Sequence, residues 1–208
     1  MRISKLSITL CALLLGGCAE GFNVTRNAPS SIQLPNGTVV AAARGWCVDT
    51  STSRARGDTA VVVLGSCAAL ASNALAPRPD VPGVVTVSVE SEAGVSPSPK
   101  ELETFFVSDA GRAALAHDGR AESVDILETR REDDLFILQA EDQSALPGAS
   151  PVTWRALFDL EGRFVSVSLY GLSDRPIGRS EGLQTVSYTH LRAHETYLLI
   201  SYAVFCLK

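Results

Sequence analysis

Ser180 stands in a sequence pattern that in some hydrolases holds the catalytic nucleophile. It sits in Gly178-Arg179-Ser180-Glu181-Gly182, which fits the G-x-S-x-G pattern. In that pattern a serine on a sharp strand-to-helix turn presents its hydroxyl to a base. The base is a histidine that follows the serine in the chain. Here only His190 and His194 follow Ser180, and a loop with Pro176 precedes it where a strand is wanted. A small hydrolase using Ser180 is one reading, and a loop entering a helix is the other.

The remaining polar groups read as structural. Glu132-Asp133-Asp134 and Glu141-Asp142 lack the spacing of a calcium loop and read as solvated turns. Glu101 and Glu103 fall on different faces of a helix and form no acid–base pair. His117 sits where a helix should end, and a cation there complements the dipole. There is no P-loop, dinucleotide glycine fingerprint, HExxH or clustered Cys/His site, so no cofactor and no metal are expected. Trp46 and Trp154 either pack in the core or line a small-molecule pocket.

The N-terminus carries the most specific signal. Arg2 and Lys5 precede an apolar run from Leu6 to Leu15. That run is about ten residues, too short to cross a bilayer core of about 30 Å as a helix. Gly16 and Gly17 then lead to Cys18. A positive start, an apolar run and small residues are the layout of a secretory signal. Leu15-Gly16-Gly17-Cys18 resembles the lipobox of bacterial lipoproteins, and the resemblance covers residues 1–18. It implies that residues 1–17 leave as a signal peptide and that Cys18 is lipidated with a diacylglycerol, freed by cleavage and N-acylated. Each buried methylene is worth about 0.8 kcal/mol, so two or three acyl chains hold far more firmly than one. The implied partner is a membrane, reached through the lipid. Ala19 stands where Asp would favour inner-membrane retention, which points to the periplasmic face of the outer membrane.

The other end resembles something else. Residues 186–196 read Val-Ser-Tyr-Thr-His-Leu-Arg-Ala-His-Glu-Thr, and Ile200 to Leu207 read Ile-Ser-Tyr-Ala-Val-Phe-Cys-Leu. Both blocks are similar to a translated sequencing adaptor in one frame, with a gap the size of a sample index. Residues 185–208 are accordingly read as non-native, and the native domain as C-terminally truncated after Gln184. A scar of this kind is excluded from fold reasoning, and His190 and His194 go with it.

From Cys18 to Gln184 there are 167 residues, enough for one domain with a sizeable core. There, 14 Lys and Arg stand against 22 Asp and Glu, a net charge of −8, and Lys100 is the only lysine. An acidic chain without a basic patch argues against nucleic acid. Cys11 falls in the signal, Cys18 carries the lipid and Cys206 lies in the adaptor-like tail, which leaves Cys47 and Cys67. The bacterial envelope outside the inner membrane is oxidising, so these two are expected to form a disulfide. Closing a loop of about 20 residues is worth about 3 kcal/mol in the chain-entropy account. Two buried free thiols are the alternative, and no Cys-x-x-Cys supports a redox pair.

The elements that position these groups follow from periodicity. Residues 18–33 are small and polar and read as a tether, and residues 34–184 as a single periplasmic domain. Pro35-Asn36-Gly37 is a turn. Thr38 to Val48 and Thr59 to Leu70 read as two strands of a hairpin clasped by Cys47 and Cys67. Val85, Val87 and Val89 alternate with polar residues, a half-buried strand. Ser98-Pro99-Lys100-Glu101 starts a helix running toward His117, with Ser108 a point at which it can break. Ser123 to Glu128 and Leu135 to Ala140, then Trp154 to Leu160 and Phe164 to Tyr170, read as two further hairpins. Gly182 to Gln184 can begin a last helix. The expected class is α+β: a mostly antiparallel sheet of hairpins with one central helix, in a two-layer or sandwich arrangement. The layout is loosely similar to PsbP-like α/β sandwiches. The expected function is a non-catalytic binding or scaffolding module, lipid-anchored in the envelope and facing an unknown envelope protein. The alternatives are a small anchored hydrolase using Ser180 and a small-ligand-binding lipoprotein with Trp46 or Trp154 at its site.

Overall fold

The computed structural model describes residues 28–187. The frame is an antiparallel sheet of eight strands: β3 (Trp46–Val48), β4 (Arg54–Arg56), β5 (Thr59–Ser66), β6 (Gly83–Glu90), β7 (Val124–Glu132), β8 (Leu135–Asp142), β9 (Ala149–Leu160) and β10 (Arg163–Leu172). Their order is β3-β5-β6-β10-β9-β8-β7, and β4 lies end to end with β3 along the same edge of β5. A two-stranded ribbon, β1 (Ser31–Gln33) and β2 (Val39–Ala41), packs on one face. The helices are α1 (Cys67–Leu70), α2 (Pro99–Phe106), α3 (Asp109–Leu115) and α4 over residues 179–187. The class is α+β with an antiparallel sheet.

Period-two patterning gives the sheet two different faces. On the ribbon face Val62, Leu64, Val85, Val87, Trp154, Phe158, Val167 and Leu169 form the larger core cluster. Leu34 and Val40 of the ribbon cover one part of it, and Leu183 and Val186 of α4 cover another. Gly182 lets α4 sit down on Trp154, because a Cβ there would lie 2.1 Å from the indole Nε1. On the opposite face Phe136, Leu138 and Leu157 meet Leu102 and Phe106 of α2 in a smaller cluster.

Several boundaries differ from expectation. Thr38 to Val48 is not one strand. It divides into β2 and β3, which belong to different sheets. Gly45 makes the break, with φ of +86° and the Arg78–Pro79 backbone so close that a Cβ would stand 2.3 Å from the Arg78 carbonyl. Thr59 to Leu70 stops as a strand at Ser66 and turns into α1, whose Ala68, Ala69 and Leu70 are good helix formers. Residues 31–33, expected in the tether, form β1. Three residues are too few to show an alternation, and the pairing is supplied by β2. The single central helix becomes two. Ser108 accepts from the Gly111 amide and caps α3, while Gly111 lies so close to the Phe105 carbonyl that no Cβ fits. With α2 and α3 on one face and the ribbon and α4 on the other, the fold has three layers where these overlie the sheet.

β7 forms one lateral edge of the sheet. Its pairing with β8 is interrupted by a bulge between Ile126 and Glu128, which turns Leu127 outward.

Candidate binding groove

α2 is fixed at its start by a complete capping box. The Ser98 hydroxyl accepts from the Glu101 amide at 3.3 Å, and a Glu101 carboxylate oxygen accepts from the Ser98 amide at 2.8 Å. The Ser98 hydroxyl, 2.6 Å from that oxygen, holds the Glu101 carboxyl below its usual range, and the Ser98 amide adds to this. Glu103 points the other way and takes the Thr129 hydroxyl at 2.8 Å and the Arg131 guanidinium at 3.0 Å. Both carboxylates therefore hold α2 in place.

So placed, α2 turns Phe106 onto Phe136, with ring centroids 6.0 Å apart and planes 7° from parallel. Phe105 meets Phe106 edge-on at 5.1 Å and stays 45 % exposed. Opposite, the Ser96 hydroxyl donates to Asp159 at 2.5 Å, and the Gly94 amide donates to the Gly162 carbonyl. These bonds pin the segment before α2 to the β9–β10 turn. The result is an open groove of about 580 Å³ lined chiefly by Val95, Pro97, Leu102, Phe105, Phe106 and Phe164. Its size and lining are those of a ligand or side-chain site.

On the same face of β10, beyond Phe164, lies a strip of sheet covered only in part, with Ser168 buried. Strand register sets Ser166 opposite Ser88, Ser168 opposite Thr86 and Tyr170 opposite Val84. Val61, Val63, Thr86, Ser88, Ser166 and Tyr170 all remain partly exposed. Arg155 of β9 sits opposite Ser168 on this same face. It is half-buried and, among the described residues, has no hydrogen bond and no carboxylate partner. From Phe164 to Ser168 the strand advances about 14 Å.

Cys18 lies outside the described residues, as do His190 and His194. The Cys47 and Cys67 sulfurs stand at disulfide distance, 2.05 Å, with Cα atoms 4.9 Å apart, and both residues are buried. Ser180 is exposed in the first turn of α4, and no hydrogen bond joins it to another described residue. The two glycines of its motif have structural roles. Gly178 gives its amide to Glu181 at the helix start, and Gly182 rests on Trp154. The motif follows an isolated bridge between Leu172 and Arg175 rather than a strand.

His117 is exposed just past α3, and its amide donates to Asp142 at 2.7 Å. Asp142 also accepts from the Ser144 amide and hydroxyl, so it organises a corner. Glu132 at the end of β7 and Asp133 and Asp134 in the β7–β8 turn are exposed. Among the described residues no group of three metal-ligating side chains comes together. Trp154 is 1 % exposed in the core. Trp46 is buried but borders a cavity of about 460 Å³ with Arg44, Asp80 and Glu181.

Phe105, Phe164 and Arg155 are the residues that sequence reasoning passed over. A signal for the first two exists. Phe105 is an aromatic beside the Leu102/Phe106 stripe, and Phe164 opens the row Phe164, Ser166, Ser168, Tyr170, which is otherwise the polar side of β10. No protein-family model matches the chain, and no curated protein matches it.

Proposed function

We propose that this chain is a lipid-anchored protein of the bacterial envelope whose domain binds a partner, without catalysis, in the α2–β10 groove. The groove carries the reading. It is concave and aromatic-lined, and its polar neighbours Glu101 and Ser96 already have partners within the fold. Leu15-Gly16-Gly17-Cys18 supports the anchor. A tether from Cys18 to Ala28 reaches at most about 35 Å, so the domain stays beside the membrane. Ala19 supports the periplasmic face of the outer membrane.

Site-specific photocrosslinking in envelopes tests the groove. A photoreactive residue at position 105 should capture envelope components that one at Leu75, an apolar residue 94 % exposed elsewhere, does not. Equal capture at both positions would refute it. Palmitate labelling tests the anchor: it should vanish in Cys18→Ser, and undiminished labelling would overturn lipidation at that residue.

Residues 185–208 are read as adaptor-derived, supported by two in-frame blocks. Thr185 and Val186 nevertheless continue α4, and Val186 is fully buried. The native frame should therefore carry an apolar residue at 186, three after Leu183. Recovering the gene would check this, and a charged residue there would contradict it.

A further inference from the structure

We propose that the groove and the strip beside it bind a long-chain fatty acid, with its chain among Phe105, Phe106 and Phe164 and its carboxylate on Arg155; this rests on the reading that the groove is the binding site.

Polarity changes along a single face of the sheet. At the Phe164 end the surroundings are apolar, and the charged groups nearby are acidic. Asp159 of β9 pairs with Phe164, Glu90 follows Val89, the β6 partner of Val165, and Glu101 borders the groove. An anion is disfavoured at that end. About 14 Å along the strand is Arg155, partly desolvated and unpaired. The other described arginines without a partner, Arg44, Arg56, Arg78 and Arg175, are exposed. A guanidinium held on a sheet face gains a charge-assisted bond when a carboxylate reaches it, and its planar fork matches a carboxylate's two oxygens. Between the two ends lie Ser166, partly exposed, and Ser168, buried, and neither carries a charge. One cation and one groove suit one anionic head and one chain.

The test uses the full chain carrying Cys18→Ser, which removes the covalent lipid, irradiated with a photoactivatable palmitate. Peptide mapping should place adducts within residues 95–106 or at Phe164. Excess palmitate should abolish labelling, and hexadecanol, which lacks the carboxylate, should not compete. Arg155→Gln should lower labelling about tenfold at an unchanged melting temperature, and Arg155→Lys should restore most of it. Ser166→Trp, which fills the strip without touching the cation, should block labelling too. Adducts scattered over other segments, equal competition by hexadecanol, or undiminished labelling in Arg155→Gln would each overturn the proposal. If position 105 captures an envelope protein while palmitate labels nothing in the groove, the binding reading stands and the fatty acid falls. If neither labels, both fall.

Discussion

The ribbon face of the sheet is closed, with Trp154, Val167 and Leu169 sealed beneath the β1–β2 ribbon and α4. The groove face is half finished: its cluster stops at Leu157 and Phe164, and the outward side of β5, β6 and β10 stays partly exposed. β10 shows the origin of the difference within one strand. Val165, Val167 and Leu169 on one side require cover, whereas Ser166 on the other stays partly exposed. Burial on the first face therefore extends under the ribbon and α4, and on the second it is confined to the cluster beneath α2. Aromatic Phe164 and Tyr170 at the two ends of that serine row are the exception that a purely solvated face would not contain.

This contrast can be broken by mutation. The largest effect should come from Trp154→Ala, which opens the closed face under Gly182 and should cost about 3–5 kcal/mol by urea denaturation. Next is Cys47→Ser with Cys67→Ser, removing a link across 20 positions, which should cost about 3 kcal/mol in the same assay. A loss near zero would show that the two thiols are not joined in the folded protein. On the open face, Phe105→Ala should change stability by less than about 1 kcal/mol, since the ring is 45 % exposed, while removing photocapture at neighbouring groove positions. If Phe105→Ala destabilises as strongly as Trp154→Ala, the division of labour is wrong.

The smallest effect is acid-dependent and lies at the corner past α3. The Arg120 amide, the Ser123 hydroxyl and the Arg120 guanidinium all donate to Asp118. Led by the Arg120 amide, these bonds lower its pKa from 3.8 to about 2. Because the folded value is depressed, the contribution of Asp118 is complete above about pH 4 and fades as pH falls toward 2. A carboxyl-carbon titration should give a midpoint near 2, and one near 3.8 would mean that the corner is open in solution.

Much of the frame was legible where alternation was strong. Val85, Val87 and Val89 lie on the buried face of β6, and Val165, Val167 and Leu169 pack on the same side of β10. The α2 start was legible because capping is local, and Ser98, Pro99 and Glu101 announce it. What sequence could not show depends on distant chain. β1 exists because β2 returns to pair with it, and Gly45 breaks the strand because Arg78 and Pro79 come to lie against it. The groove was illegible for the same reason. Phe105 and Phe164 are far apart in sequence and meet only once α2 is set on the sheet. Arg155 stands out only when its partners are counted in three dimensions.

The bulged edge strand β7 has a further consequence. An edge strand of nine residues invites another chain to add itself. The bulge at Leu127 interrupts the ladder, and Arg130, Arg131 and Glu132 place charges along its last stretch. β7 is thereby a poor template for the addition of another strand.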